Sequence, residues 1–251
     1  MSFSGRKALI TGASKGLGKA IANRLASEGC SLKLLSRNED LLRHEINQLP
    51  IINPSQTHEY ISFDLNQLAS SHSNARESGI SELLNDVSIL INCAGVTNHS
   101  LLYRMDESEI LSTININLLA PVLLSRLAYK PMIRSHSKTE NIPQILNVSS
   151  VLSLTNTYVP GTSVYAASKA GLLGFTTALA AELKGKVRVN ALLPGLIQET
   201  DMGTSANIND EVGSVTLDSV VSKAVGILSD ESINGQCIIC DNNPTSKIGL
   251  P

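Results

Sequence analysis

The sequence predicts a single α/β domain built on a doubly wound, seven-stranded, mostly parallel sheet with helices on both faces. Three observations carry that expectation. Short apolar runs alternate with longer helix-period stretches along the whole chain, and such alternation feeds a parallel sheet covered on both sides. Runs such as Val87-Ser-Ile-Leu-Ile91 lack in-and-out alternation, as strands buried on both faces require. The length of 251 residues fits one large α/β domain, and no repeat, linker or change of composition divides it.

The elements follow in order. Strands are expected at Lys7–Thr11, Ser31–Leu35, Tyr60–Asp64, Val87–Asn92, Gln144–Ser149, Val187–Leu192 and Gln236–Cys240. Leu17, Ile21 and Leu25 recur every four residues, and Gly29 follows as a C-cap. Asn38 caps a helix running through Leu49, with Glu39 and Asp40 in its first turn. Asp106 starts a helix carrying Ile110, Ile114 and Leu118, which Pro121 should kink or interrupt. Asp218 caps the last helix, through Val221, Val225 and Leu228. The polar stretches 66–81 and 134–143 read as surface segments, and the polar stretch 198–216 reads as a mobile loop.

Composition narrows the function. A net charge of −2 gives no general attraction to nucleic acid or an anionic membrane. Aromatic residues at 3% and the absence of Trp argue against a base-stacking surface. No apolar run approaches the roughly 18 residues of a membrane span. No signal peptide precedes the first strand, and a presequence already removed would leave no trace. The cysteines at 30, 93, 237 and 240 read as small core residues. Cys237 and Cys240 have C-x-x-C spacing, but a strand sends i and i+3 to opposite faces. The five histidines show no metal-ligand spacing, so no metal is expected.

Four motifs carry chemistry. Thr11-Gly12-Ala13-Ser14-Lys15-Gly16-Leu17-Gly18 joins the first strand to the first helix. Its small residues let backbone approach a pyrophosphate at a helix N-terminus. The spacing is G-x-x-x-G-x-G, and any tight strand–helix turn favours glycine, so position in the first βα unit supplies the specificity. Second, the second strand ends in Leu35-Ser36-Arg37, without the acid that would hold a ribose 2′-hydroxyl. Arg37 and Lys15 could reach a 2′-phosphate, and Ser36 could bond it, although two solvated surface cations would look the same. Third, Tyr165-Ala-Ala-Ser-Lys169 puts a phenol and an ammonium on one helix face. A cation beside a phenol of pKa ~10 favours the phenolate, yet Tyr-x-x-x-Lys alone is ordinarily a half-buried tyrosine beside a surface lysine. Fourth, Asn147-Val-Ser149-Ser150 ends a strand at the sheet edge where α/β ligands bind. A hydroxyl there can bond a substrate carbonyl, but serine pairs also simply start turns.

In this order and spacing, the four features resemble the short-chain dehydrogenase/reductase family, from Lys7 to about Cys240. The resemblance implies a Rossmann fold. It further implies that Asp64 and Leu65 meet the adenine, and that Asn92, Ala94 and Gly95 form the cofactor-binding strand end. It gives Asn117 as the tetrad asparagine, and Pro194, Gly195, Ile197 and Thr200 as the nicotinamide segment. With Gly12, Ser14, Lys15, Gly16, Leu17, Gly18, Ser36, Arg37, Tyr165 and Lys169, these make up the expected NADPH site. Val164–Phe175, Arg188-Val-Asn190 and Thr200-Asp-Met202 resemble 3-oxoacyl-[acyl-carrier-protein] reductases. Val159–Tyr165 and Leu90–Gly95 resemble their mitochondrial branch.

The implied activity is NADPH-dependent reduction of a carrier-bound 3-oxoacyl thioester. In that mechanism Tyr165 is the general acid and Ser150 bonds the carbonyl. Lys169 holds the nicotinamide ribose and lowers the Tyr165 pKa, and Asn117 orders a water. A general ketone or quinone reductase and a non-catalytic dinucleotide sensor are the alternatives. The resemblance also implies a homotetramer, and a mitochondrial matrix or else a cytoplasmic location. This chain departs from the family pattern in four places. Ser150 to Tyr165 is two residues longer than the commonest spacing. One residue is inserted between Ile197 and Thr200, the loop after Met202 is short, and Asn242-Asn243 replace a Gly-Gly pair. Ser150 is preferred to Ser149 because it aligns with the second serine of the family's pair.

Overall fold

The computed structural model describes residues 3–68, 79–136, 141–154, 159–204 and 214–241. Seven strands form one sheet: β1 (Lys7–Thr11), β2 (Ser31–Ser36), β3 (His58–Ser62), β4 (Ile89–Asn92), β5 (Gln144–Val148), β6 (Arg188–Pro194) and β9 (Cys237–Cys240). Their order is β3-β2-β1-β4-β5-β6-β9, and every pairing is parallel. The order reverses between β1 and β4, which opens a crevice at their carboxyl ends. β7 (Leu196–Ile197) and β8 (Ser214–Val215) make a separate parallel pair.

The strands are where the apolar runs placed them, with shifted ends. The largest shift is β3, two residues earlier than expected, because Leu32 to Ser36 of β2 pair with His58 to Ser62. Two cores sandwich the sheet. One joins Ile10, Leu34 and Ile91 to Ile21, Leu25 and Val221, and the other joins Leu9, Leu35 and Leu90 to Leu124, Ala128 and Met132. Burying side chains of this size stabilises by about 1.5–3 kcal/mol each. Cys237 packs beside Leu173 and Leu193 while Cys240 lies in the first core, so the two thiols do take opposite faces.

The helix ends follow the capping chemistry with one correction. In α1 (Gly16–Ser27) Gly29 follows the C-cap at φ +90. Asn38 accepts from Leu41 N at 2.9 Å to cap α2 (Glu39–Gln48). α3 is Ile80–Leu83, whose Ile80 and Leu83 are buried, so this end of the 66–81 stretch is not a surface segment. The last helix is capped by Thr216, not Asp218: the Thr216 side chain accepts from Ser219 N, and Asp218 sits in the first turn.

Pro121 interrupts the regular α-helical ladder, as expected, without ending the helix. α4 (Glu107–Ile114) passes into a π-helical stretch, Asn115–Leu119, and then into α5 (Ala120–His136). A proline clashes with the carbonyl four residues back and lacks an N–H. A widened turn just ahead of it relieves both conflicts, and π-bulges of this kind often mark functional sites. Ile116 and Leu124 are buried, whereas Leu111 is 54% exposed. An 18-residue window within the helical span Glu107–Arg134 has a mean hydropathy of 1.5, long and apolar enough by composition to cross a membrane, although Leu124, Ala128 and Met132 pack in the core.

Candidate active site and cofactor groove

α6 (Ser163–Glu182) runs under the carboxyl end of β5 and brings the Tyr-x-x-x-Lys pair there. Tyr165 is 8% and Lys169 3% exposed. Lys169 Nζ donates to the Val148 carbonyl at 2.8 Å and lies 5.9 Å from the Tyr165 ring centroid. The two neighbouring serines diverge. Ser149 Oγ donates to the Lys169 carbonyl at 2.8 Å, so it ties α6 to the strand end. Ser150 accepts from Leu152 N at 3.2 Å, and its hydroxyl favours the ionised form of the Tyr165 phenol.

Asn117 is fully buried inside the π-helical stretch. Its Oδ1 accepts from Val96 N at 2.8 Å, and its Nδ2 donates to Val96 O at 2.8 Å and Ser168 Oγ at 3.1 Å. Ser168 in turn donates to the Tyr165 carbonyl at 2.7 Å. Gly95 fills the gap between these groups. A Cβ there would lie 3.3 Å from Lys169 Nζ and 3.5 Å from Asn117 Oδ1. The four expected catalytic positions therefore meet in one corner, with Gly95 as its floor.

The electrostatics correct one expectation. Burial pushes the Tyr165 phenol up to about 12, and the Ser150 hydroxyl pulls it only partly back. Burial also pushes the Lys169 ammonium down to about 8. The net shift of Tyr165 is upward despite the neighbouring ammonium, because desolvation of the phenol dominates. The phenol is thus held protonated, the state of a general acid.

The groove continues over β1. Thr11 Oγ1 accepts from Cys93 N and Ala94 N, both at 3.0 Å, and so clamps the ends of β1 and β4 together. Gly12 has φ +69, and a Cβ there would lie 2.8 Å from the Ala94 Cα, so only glycine fits. A Cβ on Gly18 would run into the Gly12 carbonyl. α1 starts at Gly16 with no side-chain cap and no acid in its first turn, so its free N–H groups and dipole face an open turn. Ser14 is half-buried in that turn, and Leu17 is buried behind it.

Around the adenine end, the Ser36 hydroxyl is buried and has no hydrogen-bond partner among the described residues. Arg37 is exposed and pairs with no carboxylate among the described residues. Asp64 is half-buried and accepts from Asn66 N at 3.0 Å, and Leu65 beside it is 6% exposed. An orphaned hydroxyl, an unpaired guanidinium, a bare helix start and glycines that admit no Cβ together fit a dinucleotide bearing a 2′-phosphate.

Some expected cofactor residues are already engaged within the protein. The Asn92 amide is 2% exposed and donates to Asn147 Oδ1 at 2.8 Å, so its side chain braces the strand ends. Lys15 is not free: its ammonium meets Asp201 Oδ2 at 2.6 Å. Pro194 ends β6, Gly195 N donates to Cys240 O at 2.9 Å, and Thr200 Oγ1 donates to Ile197 O at 2.9 Å. The stretch 198–216 is not structureless. α7 (Asp201–Thr204) forms because Thr200 Oγ1 also accepts from Gly203 N, and Ser214–Val215 pairs with β7. Residues 205–213, Asn242 and Asn243 lie outside the described residues.

Sequence reasoning missed Ser168, Thr176 and Asp201. Asn147 Nδ2 donates to Thr176 Oγ1 at 2.9 Å, extending the Asn92–Asn147 brace into α6. No local spacing signals such a contact, since Asn147 and Thr176 are 29 residues apart.

Comparison with known proteins agrees with this geometry. The family described as short chain dehydrogenase matches residues 6–211. A Bos taurus protein named 3-oxoacyl-[acyl-carrier-protein] reductase is 32% identical over 92% of this chain and 94% of its own length. A Chlamydia trachomatis protein of the same name is 31% identical over 94% of this chain and 96% of its own. Danio rerio carbonyl reductase family member 4 is 32% identical over 94% and 96%. Among solved structures, a short chain dehydrogenase from Burkholderia cenocepacia in complex with NADP is 25% identical. It superposes with a TM-score of 0.78 over 96% of this chain and 98% of its own.

Proposed function

The chain belongs to the short chain dehydrogenase family, and on that premise we propose that it reduces 3-oxoacyl thioesters of an acyl carrier protein, with NADPH, to the 3-hydroxyacyl thioesters. The observation that carries this reading is the buried corner in which Tyr165 and Lys169 stand with Ser150 and Asn117. The curated relatives described above carry that reductase activity in their names.

When bound, the nicotinamide nucleotide supplies the hydride to the substrate's C3 carbonyl. Ser150 donates to that carbonyl oxygen and orients it. Tyr165 gives its proton to the oxygen as negative charge develops, and its neutral state at physiological pH suits reduction. Lys169, buried and held by Val148 O, holds the ribose hydroxyls. Asn117 fixes the Val96 backbone and, through Ser168, the first turn of α6. Ser36 and Arg37 hold the 2′-phosphate, the glycine turn holds the pyrophosphate, and Asp64 and Leu65 hold the adenine. Ala94, Gly95, Pro194, Gly195, Ile197 and Thr200 line the nicotinamide end.

Two further parts of the proposal concern the setting. The exposed Leu101, Leu102, Tyr103 and Leu111 support self-association, which we take to be a homotetramer. The likeness of Leu90–Gly95 and Val159–Tyr165 to the mitochondrial branch supports the mitochondrial matrix. Light scattering and import into isolated mitochondria check these two points. The activity itself is tested by steady-state rates with NADPH on acetoacetyl and longer 3-oxoacyl thioesters beside a panel of ketones and quinones. Thioesters should lead by at least about tenfold in kcat/KM. A preference for quinones would replace this reading with that of a general carbonyl reductase.

A further inference from the structure

The Gly-rich turn and the root of the stretch 198–216 are bridged by one ion pair. Lys15 and Asp201 are 186 residues apart in the chain, yet Lys15 Nζ lies 2.6 Å from Asp201 Oδ2. The contact is not an isolated surface accident of two long side chains. A Cβ built on Gly16 would lie 3.5 Å from Thr200 Cγ2, so the backbone of the turn is already against the residue before Asp201. Thr200 is itself fixed, donating to Ile197 O and accepting from Gly203 N. Asp201 therefore starts α7 at a defined place above the glycine turn. The ammonium also holds the Asp201 carboxyl below the usual carboxylate range.

Resting on the NADPH reading, we propose that Asp201 competes with the cofactor's 2′-phosphate for Lys15 and so sets how much of the NADPH preference Lys15 supplies. Lys15 and Arg37 are the two cations of the turn and the β2 end. Arg37 pairs with no carboxylate among the described residues, whereas Lys15 is engaged. To reach a phosphate, the ammonium must leave a carboxylate. Exchanging one anion for another returns little free energy, so Arg37 carries the discrimination and Lys15 contributes only the difference. Asp201 thereby acts as a specificity-determining residue that faces the cofactor groove without belonging to the catalytic corner.

The test is equilibrium binding of two probes, 2′,5′-ADP and ADP, measured by calorimetry at fixed ionic strength. Neither probe carries nicotinamide, so activity does not enter. The pair is exposed, with side chains 66% and 77% accessible, so the expected effects are small. Asp201→Asn should tighten 2′,5′-ADP by about two- to five-fold and leave ADP unchanged. In a Lys15→Gln background the same Asp201→Asn change should do nothing, because no cation remains to be released. Tightening that survives Lys15→Gln would mean plain repulsion between Asp201 and the phosphate, and would overturn the proposal. Equal changes for both probes, or no change for either, would overturn it too. Wild-type protein that binds 2′,5′-ADP no tighter than ADP would defeat the NADPH reading along with it. A clear wild-type preference with no Asp201 effect would defeat the competition alone.

Discussion

Around Tyr165 the polar side chains are buried and bonded, whereas around the 2′-phosphate corner they are exposed, unpartnered or borrowed. Ser149, Asn117, Ser168 and Lys169 are all under 5% exposed, and each has a hydrogen-bond partner on a different element or a neighbouring turn. At the other end, Arg37 is exposed, Ser36 is buried without a partner among the described residues and Lys15 is held by Asp201. The contrast separates two tasks. A proton donor needs a fixed position, and burial among bonded neighbours supplies it. Recognition of a doubly charged phosphate needs cations that can still turn toward it, and exposure preserves that freedom.

The largest expected effect tests the buried end. Tyr165→Phe removes the proton donor and keeps the ring in the cluster with Val151 and Leu152. We expect kcat to fall by about 10²–10⁴-fold, with binding of 2′,5′-ADP unchanged. A variant that keeps most of its rate would show that the buried corner is a structural core.

Next in size is the divergence of the two serines. Ser150→Ala should cost about 10²–10³-fold in kcat, as loss of a positioned donor to a developing oxyanion does. Ser149→Ala should lose the bond to the Lys169 carbonyl, about 1 kcal/mol of stability, with a much smaller change in kcat. Parallel kinetics and urea melts separate the two. If Ser149→Ala is the crippled enzyme, the roles within the pair are reversed.

Smaller again is the effect at the exposed end. Arg37→Ala should raise the NADPH KM by about 10- to 100-fold and leave the NADH KM nearly unchanged. Ser36→Asp should place an acceptor for the 2′-hydroxyl and repulsion for the phosphate at the orphaned hydroxyl, moving preference toward NADH. Rates with both cofactors check this. An NADPH preference that survives both substitutions would put phosphate recognition outside this corner.

The two regions also differ in how far the sequence exposes them. The phosphate turn and the Tyr-x-x-x-Lys pair are local spacings, and Gly12, Tyr165 and Lys169 could be placed from period and position alone. Asn117 needed family resemblance, because nothing local says that a helix will widen to π geometry ahead of Pro121. The Lys15–Asp201 pair and the Asn92–Asn147–Thr176 brace join residues 186, 55 and 29 positions apart. Such contacts exist only once the strand order is known. The misplaced cap at Asp218 has a local cause: Thr216 and Asp218 both suit an N-cap, and the Thr216 side chain is the one that reaches Ser219 N. Spacing shows that Tyr165 and Lys169 are neighbours but not that both are buried, and burial dominates their pKa values.

That last point yields the mildest effect, a pH dependence. Lys169 is charged below about 8 and neutral above it, while Tyr165 keeps its proton up to about 12. Of these two, only Lys169 changes state between pH 7 and 10. In the reductive direction kcat/KM should be level near pH 7 and fall toward tenfold per pH unit above about 8, as the ribose-binding charge is lost. The stability sign runs the other way. The folded pKa of Lys169 lies below its unfolded value of 10.5, so the unfolded chain binds more protons between about 8 and 10.5. Burying the charge therefore costs stability in full below about 8, and the cost is relieved as pH rises to 10.5. Lys169→Met should consequently be a poor enzyme with no falling limb near 8, yet more stable than the wild type at pH 7, an advantage that fades by pH 10.5. Melts at the two pH values and a pH–rate profile decide it. A wild-type rate that stays level to pH 10, or a Lys169→Met variant that is less stable at pH 7, would show that the buried lysine is not held as a strained cation. The contrast between the two ends of the groove would then rest on geometry alone.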